Sequence, residues 1–352
     1  MAERTVFSFH MSENRKISII APCRNEERFV RPFLNNMLSQ DFPKENMELL
    51  LIDGNSTDAT REIVKEYCAA HPFIKLIINE KQTVPFALNK GIVMASGDYI
   101  VRTDLHAIYP KEYLSTLIEQ IELLNADNVG GVCLTLPARE RSVKCKAIAI
   151  VMSNRFGVGN SYFRIGSDRI MKVDTVPFGC FRKELFGKIG LFDEELTRNQ
   201  DDEFNGRIIR EGGSIYLVPS LRIKYYARDS VAKVSKMFYQ SGLFKPLVNR
   251  KLGSPATLRQ FVPIAFLFGL FFGGILSFFS NTIMVLYFTV LSVYIILSFC
   301  FTRTEIKKDF KLVFFLPWLF PVIHLSYAWG YFRGIIRFII LKKNTTEVAI
   351  NR

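Results

Sequence analysis

IIAPCRNEE (19–27) and LLLIDGNSTDAT (49–60) decide the fold. Each opens as a short aliphatic run and breaks off at a polar, turn-forming cluster. Ile17–Ala21 reads as an apolar strand and Pro22–Glu27 as the loop leaving it, after which Phe29, Phe33, Met37 and Leu38 recur at helical spacing. Glu48–Ile52 reads as a second strand ending at Asp53-Gly54, and Ser56, Thr57 and Asp58 offer N-caps for a helix from about Ala59 to Ala70. Ile74–Ile78 is a third strand, Val84–Met94 a helix, and Tyr99–Thr103 a fourth strand that delivers Asp104. Short apolar runs alternating with helical patterns build a mostly parallel α/β sheet. Ligands of such sheets sit beyond the carboxyl ends of the strands. Polar clusters stand there three times, at Cys23–Glu26, Asp53–Ser56 and Asp104–His106. A nucleotide-type crevice is expected.

Several chemistries are absent from the sequence. It holds no GxGxxG, no GxxxxGK[ST], no HExxH and no serine-nucleophile elbow, so catalysis falls to carboxylates. The six Cys form no CxxC and no short pair, which suits free buried thiols in a reducing compartment.

The charge divides the chain. Residues 1–221 carry 28 basic and 29 acidic side chains, whereas residues 222–352 carry 18 basic and 4 acidic ones. Sixteen of the 32 Phe lie between Phe261 and Phe338. Arg259 and Arg303 enclose 43 residues without a charge. A spanning helix takes about 20 residues, so the run holds two, Phe261–Phe279 and Ile283–Phe301, turning near Ser280-Asn281. A second uncharged window, Leu312–Phe332, contains Pro317, Pro321 and His324, and Arg333 and Arg337 follow it four apart. It reads as a third span, a re-entrant segment or a helix at headgroup level. Lys and Arg flank the hairpin on both sides, which places both flanks in the cytoplasm. Residues 1–15 lack the apolar core of a secretory signal, so the body is expected in the cytosol on the inner face of a cell membrane. Val231, Val234, Met237 and Phe238 stripe a helix that carries Lys233 and Lys236, the pattern of an interfacial helix on anionic lipid.

Four ordered motifs carry a resemblance: IIAPCRNEE (19–27), LLLIDGNSTDAT (49–60), ALNKGIVMASGDYIVRTDLHA (87–107) and TRNQDDEFNGRI (197–208). Together they resemble the family 2 inverting glycosyltransferases, and among them the succinoglycan-biosynthesis glucosyltransferase type, whose catalytic domain precedes a membrane tail. The resemblance implies an α/β nucleotide-binding sheet of glycosyltransferase A type. With the charge and hydropathy pattern, the chain divides into a flexible extension (1–15), a catalytic domain (16–228), basic interfacial helices (229–260), a membrane region (261–341) and a tail (342–352).

The resemblance also implies roles. Asp53 accepts a uracil N–H, with Pro22, Asn25 and Glu26 lining base and ribose, and Asn89 and Lys90 near the diphosphate. Asp104-Leu105-His106 stands where the family has its DxD motif, which holds Mn²⁺ or Mg²⁺ on the diphosphate. His in the third position leaves the metal's identity open between the two. Asp201 aligns on the general base, with Asp202 beside it able to take the same role. Gly179, Gln240 and Lys245 belong to the acceptor side. The implied activity is hexosyl transfer from a nucleotide sugar, UDP-linked, to a lipid-linked glycan for cell-surface polysaccharide, with a membrane but no nucleic acid as partner. Transfer to polyprenyl phosphate and a non-catalytic scaffold with a nucleotide-sugar-binding fold are the alternatives.

Overall fold

The computed structural model describes residues 15–255, 257–343 and 345. The expected N-terminal extension, but for Arg15, and most of the 342–352 tail lie outside them. The described residues fall into two compact units, one within Met1–Leu105, Pro110–Gly130 and Phe178–Leu191, the other within His106–Tyr109, Gly131–Pro177 and Phe192–Arg352.

The first unit begins as the sequence predicts. In chain order come β1 (Ile17–Cys23), α1 (Glu27–Leu38), β2 (Met47–Asp53), α2 (Thr60–Ala70), β3 (Ile74–Ile78), α3 (Val84–Met94) and β4 (Tyr99–Arg102). β2–β1, β2–β3 and β1–β4 pair in parallel, giving the order β3-β2-β1-β4. That order reverses between β1 and β4, the topological switch at which open sheets bind ligands. α1 buries Val30, Phe33, Leu34 and Met37. α3 lies so close to the sheet that a Cβ on Gly91 would meet the Ile20 side chain at 2.6 Å.

Beyond β4 the parallel pattern stops. β5 (Ala107–Ile108), α4 (Tyr113–Leu123), β6 (Asn128–Leu136), α5 (Val143–Ser153), α6 (Arg155–Val158), α7 (Tyr162–Ile165), β7 (Met171–Lys172), β8 (Cys180–Arg182) and α8 (Glu184–Ile189) follow. Within the first unit β8 pairs antiparallel with β4 and with the start of β6.

The second unit adds α9 (Gln200–Arg210), β9 (Ile215–Tyr226), α10 (Val231–Leu252), α11 (Val262–Leu276), α12 (Asn281–Lys308) and α13 (Leu316–Gly334), the last running into a π-helical turn at Ile335–Ile340. β5 and β7 pair antiparallel with β9. α11, with the 3₁₀ turn Leu258–Phe261 before it, and α12 form the expected hairpin and are long and apolar enough to cross a membrane. Ser280 caps α12 at the turn. Protein buries only 11% and 6% of their most apolar windows, and Phe278 and Phe279 at the turn are 88% and 80% exposed. Those faces ask for an apolar surrounding.

Two apolar stretches pack against protein here. The third apolar segment, expected as a span, a re-entrant segment or a helix at headgroup level, buries one face against protein: α13 buries Leu316, Leu319, Phe320, Ile323 and Tyr331. The stripe on α10, expected on lipid, faces the same core. Val234 is buried with Ile148, Val151, Leu319 and Phe320, and Val231, Met237 and Phe238 pack against that cluster. Glycine is the reason. A Cβ on Gly242 would stand 2.1 Å from the Tyr327 carbonyl, one on Gly330 2.1 Å from that of Tyr239, and one on Gly334 2.2 Å from that of Leu243. α10 and α13 therefore touch backbone to backbone, a crossing only small residues allow.

Two outcomes test this packing. Gly330→Val should destabilise the full-length protein by about 1–3 kcal/mol or more, read as thermal unfolding in neutral detergent. Gly269→Val, whose Cβ would meet nothing within 4 Å, should not. The sheet carries an acid-sensitive joint at Glu48, which accepts from Ser18 Oγ (2.7 Å), Ser96 N–H (2.8 Å) and Lys75 Nζ (2.7 Å). Burial works to raise its carboxyl, but Lys75, Ser96 and Ser18 prevail and hold it at about 2, below the ordinary 4.5. Its stabilisation is thus present above pH 4.5 and lost as pH falls towards 2. Glu48→Gln should flatten that acid limb in equilibrium unfolding measured across this range.

Candidate active site

In the first unit the loops after β1 and β2 are tied to one another. Asn25, at φ +55°, donates its N–H to Ser56 Oγ (2.8 Å) and accepts Thr57 N–H on Oδ1 (2.8 Å). Glu26 N–H reaches Thr60 Oγ1 (2.8 Å) and Glu27 N–H reaches Asp58 (3.1 Å). Gly54 N–H closes on the Cys23 carbonyl at 2.7 Å. Asp53 is fully buried at the centre: its carboxylate accepts Ser56 N–H (3.0 Å) and Ser56 Oγ–H and pairs with Arg61 Nε at 3.2 Å. A buried carboxylate is tolerable only when bonded in this way. The Asp53 carbonyl accepts Asn79 N–H (2.7 Å), joining the loop after β3 to the set. Pro22 and Glu26 are half-buried beside it.

The predicted diphosphate residues have structural work of their own. Asn89 is buried in α3. Lys90 Nζ donates to the Ile78 carbonyl (2.5 Å) and pairs with Glu80 (3.3 Å), tying α3 to the end of β3. Thr103 N–H and Oγ both donate to the Ile20 carbonyl, at 3.0 and 3.1 Å, which fixes the end of β4 on β1 and holds Asp104, half-buried, just beyond it. Gly179 has its open side taken by Asn128, whose Oδ1 would lie 2.1 Å from a Cβ there.

The second unit holds His106, half-buried before β5, and the acidic start of α9. Asn199 takes the left-handed conformation (φ +60°) and its side chain donates to the Ser241 carbonyl on α10 at 2.8 Å. The three acidic residues then part. Glu203 is buried and grips Arg207 with two bonds of 2.7 and 2.9 Å. Asp202 takes the Lys245 ammonium at 2.6 Å. Asp201 lies half-buried in the first turn, where the helix dipole favours its charge. Gln240 is buried in α10, five residues before Lys245.

Sequence reasoning missed a second ion pair beside these residues. Arg259, at the entrance to α11, reaches Asp174 at 2.5 Å and the Asn160 carbonyl at 2.8 Å. Burial raises the Asp174 carboxyl; Arg259 opposes that, and the charge of Asp202 adds to it. Tyr327 of α13 lies within the electrostatic reach of both Asp202 and Arg259. The only sequence signal was the isolated Asp174 ahead of Gly179.

Among the described residues no three His, Cys, Asp or Glu side chains gather into a metal cage. A magnesium-type cation needs none, because one or two protein ligands and the phosphates of the bound nucleotide complete its shell. Asp104 is a carboxylate of that kind, and the donor set fits.

The model of the family described as Glycosyl transferase family 2 matches residues 18–172. Over 330 residues the chain is 31% identical to the dolichyl N-acetyl-alpha-D-glucosaminyl phosphate 3-beta-D-2,3-diacetamido-2,3-dideoxy-beta-D-glucuronosyltransferase of Methanococcus voltae, covering 91% of this chain and 97% of the relative. It is 27% identical over 249 residues to the succinoglycan biosynthesis protein ExoA of Rhizobium meliloti (strain 1021), covering 70% and 74%. The mannosyltransferase PcManGT from Pyrobaculum calidifontis, solved with GDP-Man and Mn²⁺, matches in fold with a TM-score of 0.62 at 16% identity, over 92% of this chain and 88% of that one.

Proposed function

The chain belongs to glycosyl transferase family 2, an inverting family with the A-type fold, and from that premise we propose that it moves a hexose from a nucleoside diphosphate, UDP in our reading, to a lipid-linked glycan. The observation that carries the reading is the end-to-end likeness, at 31% identity, to an enzyme named for transfer onto a dolichyl-linked sugar phosphate. The likeness to ExoA supports cell-surface polysaccharide as the destination. The hairpin of α11 and α12 supports a multi-pass membrane protein, and the basic flanks support a cytoplasmic catalytic body.

The roles follow from what each side chain can do. The latched loops keep Pro22, Asn25, Glu26 and Asp53 preorganised for base and ribose, so the donor meets a rigid edge. Asp104, with His106 two residues on, would hold Mn²⁺ or Mg²⁺, and a cation there neutralises charge on the departing diphosphate. Asn89 and Lys90 stand behind this edge as supports. Asp201 takes the proton from the acceptor hydroxyl as that oxygen attacks the anomeric carbon. Asp202, already engaged by Lys245, is the lesser candidate for this step. One displacement with one base inverts the anomeric centre.

Titrating UDP with and without metal, alongside turnover, tests the assignments. Asp201→Asn should lower kcat about 10²–10⁴-fold with UDP affinity unchanged. Asp104→Asn should weaken metal-dependent UDP binding as well as turnover, and His106→Ala should shift the Mn²⁺/Mg²⁺ preference. Full activity of Asp201→Asn would point to a phosphate acceptor, which needs no base. Loss of UDP binding in Asp201→Asn with retention in Asp104→Asn would reverse the two roles.

A further inference from the structure

Two paired cations of the second unit stand near the point where the protein enters its apolar hairpin. Arg259 is the last charged residue before 43 uncharged ones, in the 3₁₀ turn that leads into α11. A side chain at that point of a membrane-entering helix lies at headgroup depth, the level of a lipid's phosphate. Lys245 projects from α10, the helix that packs backbone to backbone on α13. Each cation is held by one carboxylate, Arg259 by Asp174 at 2.5 Å and Lys245 by Asp202 at 2.6 Å. The two pairs neighbour one another: Asn249, one turn after Lys245 on α10, donates to the side chain of Gln260, next to Arg259, at 3.0 Å, and Asp174 feels Arg259, Asp202 and Lys245.

The pairs are neither surface decoration nor sealed core. Their side chains keep 33% and 25% exposure for Arg259 and Asp174, and 13% and 29% for Lys245 and Asp202. Ion pairs half withdrawn from water return little stability, since desolvation offsets attraction. An arriving anion could still reach both cations. Arg259 is also prepositioned by its bond to the Asn160 carbonyl, which leaves part of its five-donor fork for another oxygen. Planar guanidinium forks suit phosphate. Asp174 is the counter-ion most readily given up, because burial already disfavours its charge.

We propose that Arg259 and Lys245 form the receptor for the phosphate of the membrane-held acceptor, with Asp174 and Asp202 as resident counter-ions that yield the cations when it arrives. This rests on the proposed function, of which it specifies the acceptor subsite. It makes the phosphate that joins lipid to sugar a recognition element in its own right. The exchange of partners also ties acceptor arrival to release of Asp202, one residue from the proposed base.

Binding of radiolabelled polyprenyl phosphate to the full-length protein in neutral detergent tests the proposal. Polyprenol, phosphatidylglycerol and inorganic phosphate serve as competitors. The wild type should bind the phosphate lipid, and none of the three should compete comparably. Arg259→Gln and Lys245→Met should each weaken binding about tenfold or more while UDP affinity stays unchanged. Lys236→Gln, an exposed change on α10, should do nothing. Asp174→Asn should tighten binding, because it frees Arg259; a merely structural pair would give a loss or no change. That sign decides the matter even if Arg259→Gln fails to fold. Binding indifferent to Arg259, equal competition by any of the three competitors, or unchanged or weaker binding in Asp174→Asn would overturn the proposal. A parallel transfer assay separates the two readings. Transfer with Arg259-independent lipid binding contradicts this inference alone. Arg259-dependent binding with no transfer from any nucleotide sugar contradicts the proposed function.

Discussion

The second unit depends on a backbone contact. Gly242, Gly330 and Gly334 let α10 and α13 approach until a single methyl would collide with a carbonyl. That approach closes two cores: one gathers Val234, Leu319, Phe320 and residues of α5, the other Leu243, Phe244, Leu247 and Phe338. α9 is held on the same support, since Asn199 is bonded to Ser241 and a Cβ on Gly206 would meet Leu252 at 2.5 Å. The acidic turn of α9 and the cations Lys245 and Arg259 thus sit on a scaffold with little freedom to relax. These charges are therefore held in place by the packing around them before any ligand arrives.

The first unit solves a different problem, the burial of a carboxylate. Asp53 is withdrawn from water completely, and its oxygens are taken by Ser56 and Arg61. The same serine hydroxyl accepts Asn25 N–H, so one side chain links both loops. The bonds of Asp53 shape the loop edge and hold it rigid. Gly91 shows the same economy, since its lack of a side chain serves the packing of α3 on β1.

Legibility followed locality. β3 and α3 were read to the residue, and β1 and β2 came out one or two residues short, because turn-forming clusters mark their ends. β6 and β9 escaped notice. They lie outside the parallel alternation, and β9 pairs antiparallel with β5 and β7, a partnership no short window reveals. The hairpin was plain from an absence of charge. The partner of the third segment was not legible, because apolar content says nothing about which surface covers it; the small residues that admit α10 were the available signal. Asp174 and Arg259 went unseen because they meet across 85 positions, and Lys245 and Asp202 meet across 43.

In the proposed function, sugar transfer is a single displacement assisted by one carboxylate base. The anomeric configuration of the product tests this most directly. With an α-linked nucleotide sugar as donor and membranes carrying the protein, the isolated product should show the new linkage as β by proton coupling at the anomeric position. An α-linked product would require a second displacement and a nucleophile that none of these assignments supplies, and it would contradict the account.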